Sequence, residues 1–468
     1  MLGLKAAVAA VSLCLVLPLA PAMAQDAKQV PTSNAEMQLS FSPLVKATHG
    51  AVVNVYAERL VQRRASPFAG DPFFEQFFGQ RFPNRTEKQS SLGSGVIVES
   101  NGTIVTNNHV VDGADDIKVA LSDGREYPCE VVLKDDRLDL AVLKIKSDDQ
   151  NFPVLKIGDS DSAEVGDLVL AIGNPFGVGQ TVTSGIVSGL ARNQVTDGDF
   201  GFFIQTDASI NPGNSGGALM NMKGELIGIN TAIFSRGGGS NGIGFAIPAN
   251  LVKVFLAAAD SGAAGFERPY VGASFEPVTS DVAEALGLKH VLGALVVKTV
   301  PGGPAEKAGL KPGQVIVAVN GVTVEHPDAL GYRLTTAGVG QTVKLDVIDN
   351  GKDRTVEMAL NGAPETVKPD ERVIAGRSPF TGAHVANLSP KLAYSMHLPT
   401  EDTGVVVTDL DDGTPAQRLG FAKGDIIVAV NGGNVGSTAD LQAIVESEPG
   451  FWRVEIERDG KRIRQIFR

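Results

Sequence analysis

The sequence predicts a mainly β protein, and three observations support this fold class. Between residues 50 and 248, short runs of alternating apolar and polar residues are separated by residue pairs typical of hairpin turns. Glycine is abundant, with 54 in 468 residues, and only 6% of residues are aromatic, a composition typical of turn-rich globular structure rather than disorder. The second half contains a long internal repeat, which indicates tandem modules instead of one large core.

Residues 1–24 have the features of a cleavable secretory signal, and residues 25–40 form a polar lead without periodicity. Lys5 supplies the positive charge, an apolar stretch follows, and the A-M-A sequence at residues 22–24 is a typical cleavage site. The apolar stretch is shorter than the roughly 20 residues that a membrane helix needs. We therefore expect export to the periplasm without a stable membrane anchor. Removal of the signal would leave Cys129 as the only cysteine, so no internal disulfide is expected.

The charge balance and the motif content exclude several classes of ligand. With 41 Lys and Arg against 53 Asp and Glu, the net charge is −12, which argues against nucleic-acid binding. The glycine-rich stretch at residues 173–179 lacks the Lys-Ser/Thr of a phosphate loop. No histidine pair has the spacing of a zinc site, and DSDSAE at residues 159–164 lacks the glycine of a calcium loop. We expect neither a metal nor a cofactor.

Three hairpins are predicted in the first half of the chain. Asn101-Gly102 lies between two apolar runs, and this dipeptide is the strongest short-range hairpin signal. The same arrangement recurs around Asp123-Gly124 and around Lys223-Gly224. Strands at such regular spacing favour closed barrels or a sandwich.

A single helix is predicted in this half, over the stretch PANLVKVFLAAADSG. Leu251, Val254 and Phe255 form one apolar face, Asn250 is the expected N-cap, and Gly262 is the expected stop. Residues 66–85 break the β pattern, since they carry six phenylalanines among Pro, Gly and charged residues. This segment is either a loop whose aromatic side chains dock locally, or a regulatory or assembly loop that reaches a neighbouring active site.

The internal repeat aligns residues 293–321 with residues 404–432 without a gap. Pro304 pairs with Pro415, an offset of 415 − 304 = 111. Upstream, PYVGA at Pro269 pairs with PFTGA at Pro379, an offset of 110. Two copies are too few for a solenoid and indicate tandem modules, with residues 262–268 and 362–377 as linkers.

The stretch SINPGNSGGAL places Ser215 between glycines. It is either a small residue in a tight turn or a nucleophile held on bare backbone, where Gly213 lets two N–H groups converge on an oxyanion. His109 follows the second strand of the first hairpin, and Asp139 opens the strand stretch DLAVLKI. Alone, His109 could be structural and Asp139 a surface charge. Together they occur in the order His, Asp, Ser, one of the known orders of a hydrolytic triad.

Several stretches together resemble the HtrA/DegP family of periplasmic serine endoproteases: TNNHVV, DLAVLKI, AIGNPFG, GIVSGL, QTDASINPGNSGGAL, GELIGINTAI and GIGFAIP. The repeat resembles a pair of PDZ modules, so that the resemblance spans essentially the whole chain after the signal. It implies a chymotrypsin-like double β-barrel protease domain over residues 41–261, with a regulatory loop at residues 66–90. Two PDZ domains would follow, at residues 266–362 and 376–468.

The resemblance also implies roles for individual residues. His109 would be the general base, Asp139 its orienting carboxylate and Ser215 the nucleophile, with an oxyanion hole built by the backbone of Gly213, Asn214 and Ser215. Specificity for Lys or Arg is not expected, because the residue six before the nucleophile is a serine, so a small apolar side chain fits better. The substrate pocket would be bordered by Thr231, Ala232, Ile233, Phe234 and Ser235.

Two regulatory features follow from the same resemblance. Residues 188–200 match the family's sensor loop, with Arg192 at the position that relays activation. In the first PDZ module, Val271, Gly272 and Ala273 match the loop that captures a peptide carboxyl terminus. The second copy has Thr381 in place of Val271, which leaves its peptide binding open. The expected partners are unfolded polypeptides, peptide carboxyl termini and further copies of the chain, as a trimer or a larger cage.

The predicted function is ATP-independent degradation of unfolded or damaged proteins, with chaperone activity. Two alternatives stay open at this stage. The protease domain could act mainly as a holdase or scaffold for unfolded chains, or the enzyme could be a secreted esterase, which the PDZ pair disfavours.

Overall fold

The computed structural model describes most of the chain after the polar lead. The signal, the phenylalanine-rich segment before Arg85, most of the sensor loop, Phe234 and Ser235 lie outside the described residues. None of the described helices is both long and apolar enough to cross a membrane. The described residues are 40–63, 85–174, 179–192, 202–211, 213–233, 240–288, 290–400, 402–447 and 450–467.

Two closed six-stranded barrels form the first half of the fold, which confirms the prediction of a double β-barrel. The strands pair in the order β1-β2-β3-β6-β5-β4 in the first barrel and β10-β11-β12-β9-β8-β7 in the second. The first barrel comprises β1 Val52–Arg63, β2 Arg85–Glu99, β3 Thr103–Thr106, β4 Asp116–Ala120, β5 Glu126–Asp135 and β6 Leu140–Ile145. The second comprises β7 Leu168–Gly173, β8 Thr181–Arg192, β9 Phe203–Thr206, β10 Ala218–Asn221, β11 Leu226–Ile233 and β12 Gly244–Pro248.

The three predicted hairpin turns are confirmed. The turns at Gly102, Gly124 and Gly224 join β2 to β3, β4 to β5 and β10 to β11, and each glycine has a positive φ, of 86°, 87° and 75°. Glycine suits these positions because it adopts positive φ without steric cost. Strand β6, in contrast, does not alternate as its sequence suggests. Both of its faces are buried. Ala141, Leu143 and Ile145 pack inside the first barrel, and Leu140 and Val142 pack in a hydrophobic cluster that also contains residues of the second barrel.

The predicted long helix forms, but its start differs from the expectation. It covers Ala249–Asp260 and is preceded by Pro248, so Asn250 is not the N-cap. The Asn250 side chain instead donates to the Asp159 carboxylate at 2.7 Å, and its backbone N–H donates to Ser160 Oγ at 3.0 Å. The polar groups of Asn250 are therefore engaged by residues outside the helix and do not cap it. Gly262, with φ of 71°, ends the helix as predicted.

Two PDZ modules form the second half. Their sheets have the orders β13-β14-β15-β17-β18 and β19-β20-β21-β22-β24-β25, with β16 on β15 and β23 on β22. The first module comprises β13 Ala273–Pro277, β14 Ala294–Thr299, β15 Val315–Val319, β16 Val322–Thr323, β17 Thr342–Asp349 and β18 Lys352–Ala359. The second comprises β19 Arg372–Val373, β20 Ala383–Asn387, β21 Val405–Leu410, β22 Ile426–Val430, β23 Gly433–Asn434, β24 Trp452–Arg458 and β25 Lys461–Phe467.

Short helices, which the sequence analysis did not anticipate, complete both halves. One helix of each PDZ module packs on its sheet: α6, Pro327–Ala337, contacts β13, and α9, Thr438–Glu446, contacts β20. The described α-helices are α1 Ser42–Thr48, α2 Asn108–Val111, α3 Ala249–Asp260, α4 Ser280–Ala285, α5 Pro304–Lys307, α6 Pro327–Ala337, α7 Pro390–Ser395, α8 Pro415–Arg418 and α9 Thr438–Glu446.

The first PDZ module packs directly on the second barrel through helix α6. The fully buried Tyr332 ring stacks on Phe202 with 3.8 Å between centroids and 8° between planes. The Tyr332 hydroxyl donates to Asp161 Oδ1 at 2.8 Å, and Arg333 pairs with the other oxygen of Asp161 at 2.5 Å. Burial, the largest cause, raises the pKa of Tyr332, so the phenol stays a hydrogen-bond donor.

Candidate active site

His109 follows β3, as predicted, and lies on the one-turn helix α2. Asn107 precedes this helix, and its side-chain amide donates to the Asp139 carbonyl at 2.9 Å. The hydrogen bond fixes the start of the helix to the end of the loop before β6. The two segments are 30 residues apart in sequence and are brought together because β3 and β6 are paired neighbours.

Asp139 binds the imidazole from behind. Its backbone is left-handed, with φ of 52°, and the carboxylate oxygens lie 2.9 and 2.8 Å from His109 Nδ1. The backbone N–H of His109 also donates to Oδ1 at 3.0 Å. The carboxylate is only 26% exposed. Since Nδ1 is engaged, Nε2 is the ring nitrogen that can accept a proton from a nucleophile.

Ser215 is held in a tight turn before β10 that only glycine neighbours permit. Gly216 has φ of 83°, and a Cβ there would lie 2.0 Å from the Ser94 carbonyl. The N–H of Ser94, on β2 of the first barrel, donates to the Ser215 carbonyl at 2.8 Å, and the Ser94 hydroxyl donates to the Gly213 carbonyl at 2.6 Å. The turn is thus anchored across both barrels.

Thr231 connects the serine to the aspartate, a link that sequence reasoning missed. Its hydroxyl donates to Asp139 Oδ2 at 2.5 Å, and its carbonyl accepts a hydrogen bond from Ser215 Oγ at 3.2 Å. No hydrogen bond between Ser215 and His109 is present among the described side chains. The Ser215 hydroxyl therefore bonds to the Thr231 carbonyl, and only a rotation of the serine side chain would bring it to His109.

The backbone around the serine leaves two amides for an oxyanion. Gly213, with φ of 96°, and Ser215 have N–H groups that form no hydrogen bond within the described residues. The N–H of Asn214, which the sequence analysis had included, donates to the Asn211 carbonyl at 3.0 Å and is not free. Two converging N–H groups are the usual complement of an oxyanion hole.

The expected substrate-pocket residues are described only in part. Thr231 is buried, and the backbones of Ala232 and Ile233 continue β11, paired with Phe245 and Gly244 of β12. Arg192 ends β8, where its backbone pairs with Phe203. Ser209 is exposed at its turn, and its carbonyl accepts a hydrogen bond from the Thr183 hydroxyl at 2.9 Å.

Cys129 and Asp135 lie in the first barrel away from the serine. Cys129 is a free, buried thiol, and burial raises its pKa to about 12, so it is not a nucleophile. Asp135, the last residue of β5, accepts the Leu138 N–H at 2.8 Å, and burial raises the pKa of its carboxyl.

The first PDZ module has an open cleft of about 590 Å³ beside Val271, Gly272 and Ala273. Gly272 has φ of 65°, and its carbonyl accepts the Val300 N–H at 2.8 Å, while the Val271 carbonyl accepts the Ala305 N–H at 2.9 Å. The N–H groups of Val271 and Gly272 form no hydrogen bond within the described part of the chain. The cleft is lined by Phe275 of β13, Leu330 and Leu334 of α6, and Tyr394 and Leu398 of the second module.

Comparisons with known proteins agree with this architecture. Family models match a trypsin-like peptidase domain over residues 93–229, and PDZ domains over residues 269–360 and 406–456. The chain is 37% identical over 474 residues to the periplasmic serine endoprotease DegP of Escherichia coli (strain K12), covering 97% of each protein. It is 38% identical over 429 residues to a probable periplasmic serine endoprotease, DegP-like, of Marinomonas sp. (strain MWYL1), covering 87% of this chain and 88% of the relative.

Among solved structures, the HtrA-type protease AlgW is similar in two complexes. With a decapeptide it shows 40% identity and a TM-score of 0.52, covering 70% of this chain and 99% of that one. With a tripeptide it shows 40% identity and a TM-score of 0.53, covering 70% and 98%. The architecture of two barrels and two PDZ modules, together with the identity over nearly the whole chain, shows that this protein belongs to the HtrA/DegP family and is a serine protease.

Proposed function

We propose that the protein is an ATP-independent periplasmic serine endoprotease that degrades unfolded or damaged proteins. The observation that carries this proposal is the Asp139–His109 pair, with Ser215 held on the same Thr231 that binds the aspartate. The periplasmic names of the relatives and the signal-like N-terminal sequence support the location.

His109 acts as the base once Ser215 Oγ turns from the Thr231 carbonyl toward Nε2. Oγ then attacks the scissile carbonyl carbon as its proton passes to Nε2, and Asp139 stabilises the imidazolium. The oxyanion accepts hydrogen bonds from the N–H groups of Gly213 and Ser215. The C–N bond breaks as His109 transfers its proton to the leaving amine. Water then attacks the acyl carbon while His109 takes its proton, and His109 returns that proton to Ser215 Oγ as the acyl group is released.

Substrate selection involves β11 and the first PDZ module. The backbone from Thr231 to Ser235 borders the pocket and pairs with an extended substrate, and Ser209 favours a small apolar side chain. Val271, Gly272 and Ala273 capture a peptide carboxyl terminus, which is supported by the unbonded N–H groups of this loop. Arg192 relays occupancy to the active site. The chain assembles into a trimer or a larger cage, which size analysis of the full-length protein would test.

Replacement of Ser215 by alanine tests the nucleophile. Serine proteases without their nucleophile lose on the order of 10⁶-fold in kcat, so we expect no measurable cleavage of an unfolded protein such as reduced casein. Ser261→Ala is the matched control, because this exposed hydroxyl only donates to the Ala258 carbonyl at the end of α3. Unchanged cleavage by Ser215→Ala would refute the assignment.

The same variant tests chaperone activity. We expect Ser215→Ala to suppress aggregation of an unfolded protein while no longer cleaving it, since the PDZ modules and the substrate pocket are intact. Loss of both activities would contradict a chaperone role, and ester hydrolysis without proteolysis in the unmodified protein would favour an esterase.

A further inference from the structure

The carboxylate-binding loops of the two PDZ modules differ in their free hydrogen-bond donors. In the first module, the N–H groups of Val271 and Gly272 are unbonded within the described residues. In the second module, the matching N–H groups are engaged: Thr381 donates to the Ser378 carbonyl at 3.3 Å and Gly382 donates to the Ile374 carbonyl at 2.8 Å. The second loop already holds a carbonyl where a peptide carboxylate would lie.

The segment that supplies this carbonyl also covers the edge of the sheet. In the first module β13 is the edge strand, and no strand of the described chain pairs with its outer side. In the second module the corresponding β20 is covered by β19, which pairs antiparallel with Val373 opposite His384. The Ile374 N–H continues the ladder to the Ala383 carbonyl at 2.9 Å. A PDZ peptide ligand adds as a strand to this edge, so residues 369–374 lie in the ligand position.

The side chain of Ile374 fills the apolar pocket of the same groove. Ile374 is only 1% exposed and belongs to one buried cluster with Phe380, Leu441 and Val445. Leu441 and Val445 of α9 correspond to Leu330 and Leu334 of α6, since 441 − 330 and 445 − 334 both equal 111, and those leucines line the open cleft of the first module. The Ile374 side chain thus lies in the second module at the position that corresponds to the open cleft of the first module.

The other end of the segment is fastened to the helix that forms the groove's second wall. Asp370 accepts a hydrogen bond from the hydroxyl of Thr438, the first residue of α9, at 2.5 Å. Arg372 lies 2.9 Å from the same carboxylate, and the Asn387 N–H donates to the Pro369 carbonyl at 2.5 Å. The segment is therefore held along the strand, the loop and the helix, as a bound peptide would be.

We propose that the second PDZ domain contains a second site for polypeptide carboxyl termini, and that residues 369–374 are its internal occupant. The preferred ligand is an unfolded chain that ends in an aliphatic residue, because Ile374 occupies the terminal pocket. The internal segment offers the loop a neutral carbonyl instead of a carboxylate, so that an external terminus forms the stronger, charge-assisted contact. The apparent affinity of the site is lowered by the fraction of time for which the segment fills it.

A disulfide between β19 and β20 would lock residues 369–374 in place and so tests the proposal. Val373 and His384 are both accessible and form a pair next to the hydrogen-bonded Ile374–Ala383 pair. In such non-hydrogen-bonded pairs the Cα atoms are about 4.5 Å apart, within disulfide range. The variant Val373→Cys/His384→Cys is made in the full-length chain with Ser215→Ala, which prevents cleavage of the probe. Cys129 is buried and does not compete.

The probe is a ten-residue unstructured peptide that ends in valine, measured by isothermal titration, with its amidated form as control. We expect the reduced variant to bind at two sites and the oxidised variant at one. Release of the segment by Ile374→Ser is expected to strengthen the second binding event by about tenfold through removal of the internal competitor. Peptide binding is also expected to raise hydrogen exchange in residues 369–374.

The outcomes separate this proposal from the proposed function, which assigns the first module a peptide site. Absence of all binding, in every form, would contradict the first-module assignment. Equal stoichiometry in the oxidised and reduced forms would overturn the internal occupant. Exchange in residues 369–374 that stays unchanged at saturating peptide would overturn it as well, even if Ile374→Ser proved poorly folded.

Discussion

The two PDZ modules share the order of their repeated strands, and each has three described helices, but their grooves differ. In the first, the N–H groups of Val271 and Gly272 form no hydrogen bond within the described residues and the cleft is open, whereas in the second a strand from the preceding linker lies on the same edge. The repeated residues build the scaffold in both copies, while the segments before and between the copies decide whether the groove is open. Similarity within a repeat is thus a good guide to fold and a poor one to ligand binding.

The modules also differ in what they pack against. Tyr332 of the first module stacks on the second barrel, and the residue at the same helix position in the second module is Ala443. The second module instead contacts the linker before the first, since the Tyr394 hydroxyl donates to the Phe266 carbonyl at 2.9 Å and accepts the Arg268 N–H at 3.2 Å. It therefore forms one wall of the first module's cleft.

The largest predicted loss of stability concerns a side-chain pair at the start of β22 and the end of β24 in the second module, and its counterpart in the first. In the first module Gln314 donates to Asp349 at 2.8 Å, and in the second the same two positions are Asp425 and Arg458, at 2.5 and 2.6 Å. Asp425 is fully buried. Arg458→Met leaves this carboxylate without its partner, so we expect a loss of about 3–5 kcal/mol in stability of the second module. Hydrogen exchange of β22 and β24 amides, compared with β15 and β17, measures the loss.

The matched control transfers the first module's pair to the second. Asp425→Gln/Arg458→Asp recreates the Gln314–Asp349 arrangement, because the registers of β15–β17 and β22–β24 correspond. We expect it to recover most of the stability that Arg458→Met loses. If Arg458→Met alone left exchange unchanged, the buried ion pair would contribute nothing that distinguishes the copies.

The next largest loss of stability is expected where Tyr332 of the first module contacts the second barrel. Tyr332→Phe keeps the stack on Phe202 but removes the hydrogen bond to the Asp161 carboxylate, which we expect to cost about 1.5–3 kcal/mol. Urea unfolding of the full chain measures it. A double-mutant cycle with Asp161→Asn isolates the coupling, and additive losses in the double variant would contradict a direct bond.

Particular residues show what could be predicted from the sequence. The hairpin glycines and the repeat offset are local or pattern signals, and they correctly predicted the mainly β fold. The order of His109, Asp139 and Ser215 is also a pattern signal; the structure brings His109 and Asp139 together, and the roles of the three residues stay predictions. Thr231 was placed at the substrate pocket by the family resemblance, and nothing in its sequence surroundings indicates that it bonds to a residue 92 positions away. The strand β19 is only two residues long and has no periodicity, so its segment looked like a linker.

The smallest predicted effect concerns the internal strand alone. Hydrogen bonds from Thr438 and then Arg372 hold the pKa of Asp370 below its ordinary value of 3.8. A carboxyl whose folded pKa is depressed stabilises the fold above its ordinary pKa and loses that stabilisation as the pH falls through the folded pKa. Acidification below about pH 4 should therefore loosen residues 369–374, while the first module, whose edge strand has no such partner in the described chain, stays unchanged. An environment-sensitive dye on Val373→Cys reports the release, which should disappear in Asp370→Asn; a transition that persists in that variant would assign the release to another group.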